Sequence, residues 1–357
     1  MRRALELAEQ YRGRTSPNPI VGAVIVDRAG KVIAEGAHKG PGNKHGEAEA
    51  LAKLGGKAPG GTLYVNLEPC THQGRTPPCT PAVIASGVAR VVIGSQDPFP
   101  GHGGGIAALR KAKIKVDRAL VAESDAANRP FLTWAREERA AFTLKAAITL
   151  DGKIATVGGE SQWITGEAAR ADVHRLRDLH DAVLVGVDTV IADDPRLSAR
   201  LPGARDPVRV VVDSMLRTPP SSQLLPRKKG PRTIIATTSR APAAKENALV
   251  KAGAEVWRFD AGTKRVPLKY LAMELADQGI LSVLVEGGGE VHASLLASGL
   301  ADEVVLYIAP KLVGGPAPSW VGGKGIRKLA EAYGLTFEGP PVLVGEDLKI
   351  RAVRKIR

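Results

Sequence analysis

The sequence predicts two consecutive α/β units, the first an α/β/α sandwich. Short β-branched runs alternate with segments whose apolar residues recur at helical spacing. That rhythm continues past a charged helical stretch at residues 131–139, and 357 residues exceed the size of one ordinary domain. The boundary is expected near Ala140, giving segments 1–141 and 142–357.

The elements follow in order. Leu5, Ala8 and Tyr11 mark an opening helix over residues 2–12. Residues 20–26 and 31–36 read as strands joined by a turn at Asp27-Arg28-Ala29-Gly30. A helix at 46–54, a strand at 62–66, a helix at 81–86 and the run Val91-Val92-Ile93 complete the alternation that implies a sandwich. Beyond Arg136-Glu137-Glu138-Arg139, strands are expected at 142–148, 182–187, 208–213, 233–237, 282–286 and 304–308. Helices are expected at 166–179 and 291–297. Residues 214–231 and 314–325, rich in Pro, Gly and basic side chains, are expected to be surface loops.

Composition narrows the function classes. No apolar run approaches the roughly 20 residues of a membrane span. Glu6 and Glu9 interrupt any apolar stretch behind Arg2 and Arg3, so a cytoplasmic protein without a signal peptide is expected. The net charge of +13 suits acidic partners: phosphorylated small molecules, a dinucleotide or nucleic acid. A generally basic surface explains it equally well. Basic residues are scattered apart from clusters such as Arg227-Lys228-Lys229, and aromatics make up only 4%, leaving few platforms for base stacking.

The only two cysteines, Cys70 and Cys79, lie within ten positions of each other. A disulfide would be unusual in a cytoplasmic enzyme, so metal ligation is the better reading. His45 opens one helix, Cys70 follows a strand and Cys79 opens the next helix. One imidazole and two thiolates make a three-ligand zinc set whose fourth position stays open for water. Glu47, two residues past the histidine, is placed to carry protons without binding metal, as in zinc nucleobase deaminases. The common H-x-E…P-C-x-x-C pattern has a shorter cysteine spacing than the one here.

In the second half, Gly158-Gly159-Glu160-Ser161-Gln162-Trp163-Ile164-Thr165 and Thr189-Val190-Ile191-Ala192-Asp193-Asp194-Pro195 read as polar loops after hydrophobic strands. Ligands collect at such strand ends in open α/β sheets. Val283-Leu284-Val285-Glu286-Gly287-Gly288-Gly289 reads as a strand, a glycine loop and a helix start, where backbone amides favour an anion. It does not complete G-x-G-x-x-G, because His292 holds the last position, and a plain tight turn is the alternative.

Pro17-Asn18-Pro19-Ile20-Val21-Gly22, His45-Gly46-Glu47 and residues 67–81 resemble the deaminase domain of the bifunctional riboflavin-biosynthesis family. Its members join diaminohydroxyphosphoribosylaminopyrimidine deaminase to 5-amino-6-(5-phosphoribosylamino)uracil reductase. The long cysteine spacing is usual there, and Gln96-Asp97-Pro98 with Gly103-Gly104-Gly105 fits as well. Two departures are Gly46, usually Ala, and Ser16, usually His. The resemblance implies a cytidine-deaminase-like sandwich followed by a dihydrofolate-reductase-like α/β domain. It implies zinc on His45, Cys70 and Cys79, with Glu47 as proton donor. Asn18, His72 and Arg75 would line the substrate pocket, Arg75 near the phosphate.

In the second half the resemblance places NADPH at Ala147, Trp163, Thr189, Asp193, Ser214 and the run Gly288, Gly289, Glu290, Val291, His292, Ala293 and Ser294. It places substrate at Ser161, Arg177, Leu197, Arg200 and Glu286, with Lys145 and Asp194 in the matching segments. Arg177 and Arg200 suit a ribose phosphate as bidentate clamps, although either could be a solvated charge, and Asp193 and Asp194 could simply cap a turn. The expected substrate is a phosphorylated pyrimidine, with no nucleic-acid or membrane partner, and a homo-oligomer is expected. A nucleic-acid-editing deaminase with an accessory binding domain is the alternative. It suits the charge but not the long cysteine loop, the scarce aromatics or the ligand loops of the second half.

Overall fold

The computed structural model describes residues 1–357 except 100–102, 227–229, 261 and 356–357, so the basic cluster Arg227-Lys228-Lys229 lies outside the described residues. The chain divides into two compact units, Met1–Glu138 and Arg139–Arg357. Among the described residues no helix is long and apolar enough to cross a membrane.

The first unit runs α1 (Arg2–Glu9), β1 (Gly22–Val26), β2 (Val32–Ala37), α2 (Gly46–Ala52), β3 (Thr62–Leu67), α3 (Cys79–Ala85), β4 (Arg90–Ser95), α4 (Gly105–Lys111), β5 (Lys115–Arg118), α5 (Val121–Ala127) and α6 (Arg129–Glu137). Its sheet has the order β2-β1-β3-β4-β5. β1 pairs antiparallel with β2 and β3, while β3, β4 and β5 are parallel. Alternation along the strands separates two cores. Ala23, Ile25, Leu63, Val65, Val91 and Ile93 pack with Ala50 and Leu51 of α2, Val83 of α3 and Leu109 of α4. Val24 packs with Ala4 and Leu7 of α1, and Ala8 of α1 meets Ala127 of α5. The layers are thus helix, sheet and helix. Elements α4, β5 and α5 had no expectation from sequence, because their apolar signal is short: only Gly105 and Leu109 of α4 are buried.

The second unit runs β6 (Ala141–Thr149), α7 (Glu167–Leu179), β7 (Ala182–Gly186), α8 (Val187–Asp193), β8 (Val208–Val212), β9 (Thr233–Thr238), α9 (Ala243–Lys251), β10 (Glu255–Phe259), α10 (Leu268–Asp277), β11 (Ser282–Val285), α11 (Gly289–Ala297), β12 (Ala301–Ala309), β13 (Leu335–Phe337), β14 (Val342–Val344) and β15 (Asp347–Arg354). The sheet order is β10-β9-β8-β7-β11-β6-β12-β15-β13, with β14 also on β15. Strands β10 through β12 in that order are parallel, so their C-terminal ends share one edge. One face carries Leu271 and Leu275 of α10 and Leu295 of α11; the other carries Val190 of α8 and Leu249 of α9.

Two expectations need correction. Residues 189–193 are not a loop but part of α8, because Val187 and Val190 at helical spacing bury against the sheet. Of the expected loop 214–231, the described residues 214–226 are irregular but not superficial, since Leu216, Leu224 and Leu225 are buried in the core. The charged stretch near the boundary also has an inward member. Arg139 makes two bonds, of 2.8 and 2.7 Å, to the buried Asp302, which also accepts from the Phe142 amide at the start of β6.

Candidate functional sites

Two helix starts bring the metal-ligating atoms together in the first unit. His45 immediately precedes α2, and Cys79 is the first residue of α3. His45 Nδ1 lies 3.6 Å from Cys70 Sγ and 3.4 Å from Cys79 Sγ, and the three ligand atoms lie within 4.8 Å of one another. Ligands of a tetrahedral zinc with bonds of about 2.0 to 2.3 Å sit about 3.6 Å apart, so the donor set fits that ion in both chemistry and spacing. The cysteines are free thiols, not a disulfide. The neighbouring Cys79 thiol and His45 ring hold the Cys70 thiol below its usual range against burial. Cys79, beside the thiolate, is pushed up.

Glu47 shares the first turn of α2. It is 2% exposed, and its Oε2 has no hydrogen-bond partner. Burial raises its carboxyl from 4.5 to about 7, so it can exchange a proton near neutrality. Gly46 lets this turn seat against β1: a Cβ there would stand 2.9 Å from the Val21 carbonyl oxygen. The usual family alanine would therefore need a shift of a few tenths of an ångström.

A cavity of about 240 Å³ opens beside these groups, and Asn18, His72 and Arg75 all line it with His45, Glu47 and Cys70. Buried Asn66 and Asn128 secure the segment that carries Asn18. Asn66 accepts from the Gly22 amide, Asn128 accepts from the Ile20 amide, and both donate to the Ile20 carbonyl. Glu68 accepts from the amides of Asp97, Gly104 and Ile106, which brings Asp97 and Phe99 to the cavity wall.

In the second unit, Lys145 of β6, Arg177 of α7 and Glu286 after β11 converge. Arg177 donates two bonds to Glu286, of 2.6 and 3.0 Å, and Lys145 Nζ lies 3.5 Å from the same carboxylate. Burial pushes Glu286 up, yet Arg177 and Lys145 together hold it at about 2. Burial lowers Lys145 despite that neighbour. Two cations against one anion leave the cluster with room for a further negative charge. Ala147 shares the strand face of Lys145, two residues on.

The glycine run has specific jobs. A Cβ on Gly289 would lie 2.6 Å from the Ser319 carbonyl oxygen, so that glycine accommodates the protein's own loop. Gly288 is open, its Cβ position 3.8 Å from Thr189 Oγ1. Val291 packs under Gly186 and Gly287. His292 is buried, donating from Nδ1 to the Trp320 carbonyl at 2.9 Å with Nε2 at 3.4 Å from Val285 O. Glu290 accepts from the Gly323 amide, and Ser294 donates to the Glu290 carbonyl. Ser214 Oγ accepts from the Val266 amide. Trp163 is 62% exposed, with Arg170 over its ring at 4.6 Å. Leu197 is in the core and Arg200 is exposed. Asp193 ends α8, and Asp194 is committed to Ser222 and Gln223.

Comparison with known proteins bears on both units. Residues 1–95 match the cytidine and deoxycytidylate deaminase zinc-binding region, and residues 140–339 match the RibD C-terminal domain. Riboflavin biosynthesis protein RibD of Actinobacillus pleuropneumoniae is 45% identical over 351 residues, covering 98% of this chain and 93% of that protein. The chain belongs to the RibD family. RibD of Aquifex aeolicus is 43% identical, covering 98% and 96% of the two chains. Acinetobacter baumannii RibD superposes with a TM-score of 0.85 at 34% identity, covering 99% and 98%. A Thermotoga maritima diaminohydroxyphosphoribosylaminopyrimidine deaminase/5-amino-6-(5-phosphoribosylamino)uracil reductase gives 0.84 at 34%, covering 99% and 97%.

With RibD relatives over almost its whole length, the chain carries the zinc-deaminase region and the reductase-type domain that the sequence motifs pointed to. The nucleic-acid-editing alternative is not favoured, because its accessory domain is the RibD C-terminal domain. Sequence reasoning missed His38, Phe99, Phe131 and Trp134, all of which line the cavity. The aromatic trio, with Phe99 and Trp134 ring centroids 4.8 Å apart, is joined from two segments by packing alone. His38 had a signal: a lone histidine just after a strand whose neighbour carries Asn18.

Proposed function

We propose that the chain catalyses two successive steps of riboflavin biosynthesis. The first unit hydrolyses the amine from 2,5-diamino-6-(5-phosphoribosylamino)pyrimidin-4-one. The second reduces the ribose of 5-amino-6-(5-phosphoribosylamino)uracil to the ribityl group. The observation that carries the first assignment is a buried, partnerless Glu47 oxygen beside a His45, Cys70 and Cys79 set at the wall of a 240 Å³ cavity.

Zinc held by those three residues would supply the Lewis acidity that makes water a nucleophile near neutral pH. Glu47 takes the proton that the attacking water gives up and delivers it to the departing amine, so that ammonia leaves as the carbonyl forms. Burial, which raises this carboxyl above its ordinary value, favours its holding and then releasing a proton. Arg75 at the rim provides a guanidinium for the ribose phosphate.

For the second step, NADPH held near Thr189, Ser214 and Gly288 would supply the hydride that reduces the sugar. The surplus cation of the Lys145, Arg177 and Glu286 cluster supports binding of a phosphorylated substrate there. Arg177 already holds Glu286, so within this reading it orients the carboxylate as well as offering charge to substrate. Thr189 in the first turn of α8 after β7, Ser214 after β8 and Gly288 after β11 all follow parallel strands, and they support a dinucleotide site. A cytoplasmic homo-oligomer belongs to the same reading, and light scattering of the purified protein checks the assembly.

Ammonia release from the diaminopyrimidine, followed by NADPH oxidation with the deaminated product, tests both assignments on one preparation. Absence of either activity in zinc-loaded protein rejects the corresponding half.

A further inference from the structure

Asn18 faces the deaminase cavity, and its amide could present either a donor or an acceptor there. His38 decides between them. Its ring is 1% exposed and meets His45 edge to face, with centroids 5.2 Å apart. Nδ1 lies 3.1 Å from the Lys44 carbonyl oxygen. A carbonyl oxygen only accepts, so the proton of the neutral ring sits on Nδ1 and Nε2 is left as an acceptor. Asn18 Nδ2 lies 3.0 Å from that Nε2. The reverse orientation would set the amide oxygen against a lone pair, two acceptors with no proton between them. Asn18 therefore donates to His38, and no described residue donates to its Oδ1. The backbone around it is fixed independently: the Asn18 amide donates to Thr15 O at 2.8 Å, and Asn66 and Asn128 hold Ile20.

We propose that His38 is a positioning residue for deamination, turning Asn18 so that its Oδ1 accepts from an N–H or O–H donor of the pyrimidine substrate. This rests on the deaminase reading of the cavity. It makes the pocket directional, since an analogue that offers an acceptor at this point meets an acceptor. The same hydrogen-bond logic gives His38 its influence without contact with the reacting atoms.

A double-mutant cycle tests it. His38→Phe keeps a ring against His45 but removes both nitrogens, freeing the Asn18 amide to turn. Deaminase kcat/KM is expected to fall about 10- to 100-fold, the range for losing a well-made hydrogen bond to substrate. Asn18→Ala should fall comparably, and the double variant should be no worse than the poorer single variant, because His38 acts through Asn18. His38→Gln, whose Oε1 can accept from Asn18 Nδ2, should recover most of the loss. Zinc content and reduction of pre-deaminated substrate, measured on every variant, report folding. Losses that multiply in the double variant, or wild-type activity in His38→Phe, overturn the positioning role while leaving the deaminase reading intact. A zinc-loaded wild type that does not deaminate overturns both.

Discussion

Arg177 provides the sharpest test of the second unit, because its removal strands a buried charge. Its guanidinium makes two short bonds to Glu286, which is otherwise approached only by Lys145 at 3.5 Å among the ion pairs described. Arg177 and Lys145 together lower Glu286 from its ordinary 4.5 to about 2, a drop of about 3 kcal/mol at neutral pH to which Arg177 contributes most. The folded value lies below the unfolded one. The contribution is therefore complete above about pH 5 and disappears as pH falls toward 2. Breaking a buried pair by removing one partner costs about 3 to 5 kcal/mol, in agreement with that figure. Arg177→Met, which keeps most of the side-chain volume, should destabilise the second unit by about that amount at pH 7. The difference from wild type should shrink in acid. Reduction should weaken and deamination should persist. Adding Glu286→Gln removes the stranded charge and should restore part of the lost stability, though not the reductase activity. Denaturant titration at several pH values, with both activities followed alongside, makes the measurement. An Arg177→Met protein within about 1 kcal/mol of wild type at pH 7, or no recovery in the double variant, would refute the electrostatic account.

The other expectations concern metal, proton transfer and cofactor. Wild type should carry one zinc per chain and Cys79→Ser substantially less, since two ligands make a poor site; full retention on metal analysis rejects the ligand assignment. Glu47→Ala should lower deamination by about 100- to 10,000-fold while zinc stays bound and reduction is nearly unchanged. Loss of both activities in a folded, zinc-loaded Glu47→Ala protein would reject independent sites. NADPH should be preferred over NADH, with Ser214 and Arg217 as candidates for reading the extra phosphate. Arg217 is exposed and paired with Asp188 at 2.6 Å, so Arg217→Ala should narrow the preference; equal kcat/KM for both cofactors in the wild type rejects it.

Much of the candidate metal site was legible in the sequence because its parts are local. His45 and Glu47 occupy the start and first turn of one helix, where backbone geometry fixes their relation. Cys70 lies on the connection between β3 and α3, and Cys79 is the first residue of α3. The α/β alternation was equally legible, since strands buried on both faces, such as β9 and β11, read as continuous β-branched apolar runs between helical segments. What failed was local too. Asp193-Asp194-Pro195 signals a turn, but it is the C-terminal end of a helix, with Asp194 left-handed at the cap, that Val187 and Val190 hold to the sheet. The polar and proline-rich residues of 214–231 concealed three leucines that fill the core.

The tertiary structure alone decided which distant side chains meet. Lys145 and Glu286 are 141 residues apart, and they touch because β11 lies beside β6 in the sheet. Arg177 reaches the same carboxylate across 109 residues. Asn18 is turned by a histidine on the far side of a hairpin, in an orientation that no spacing encodes. Sequence patterns record which face of an element is apolar, because burial acts on each residue singly. Strand order and the pairing of buried polar groups arise only when the whole sheet is assembled, for each such group must find its partner among whatever the fold brings within about 3 Å.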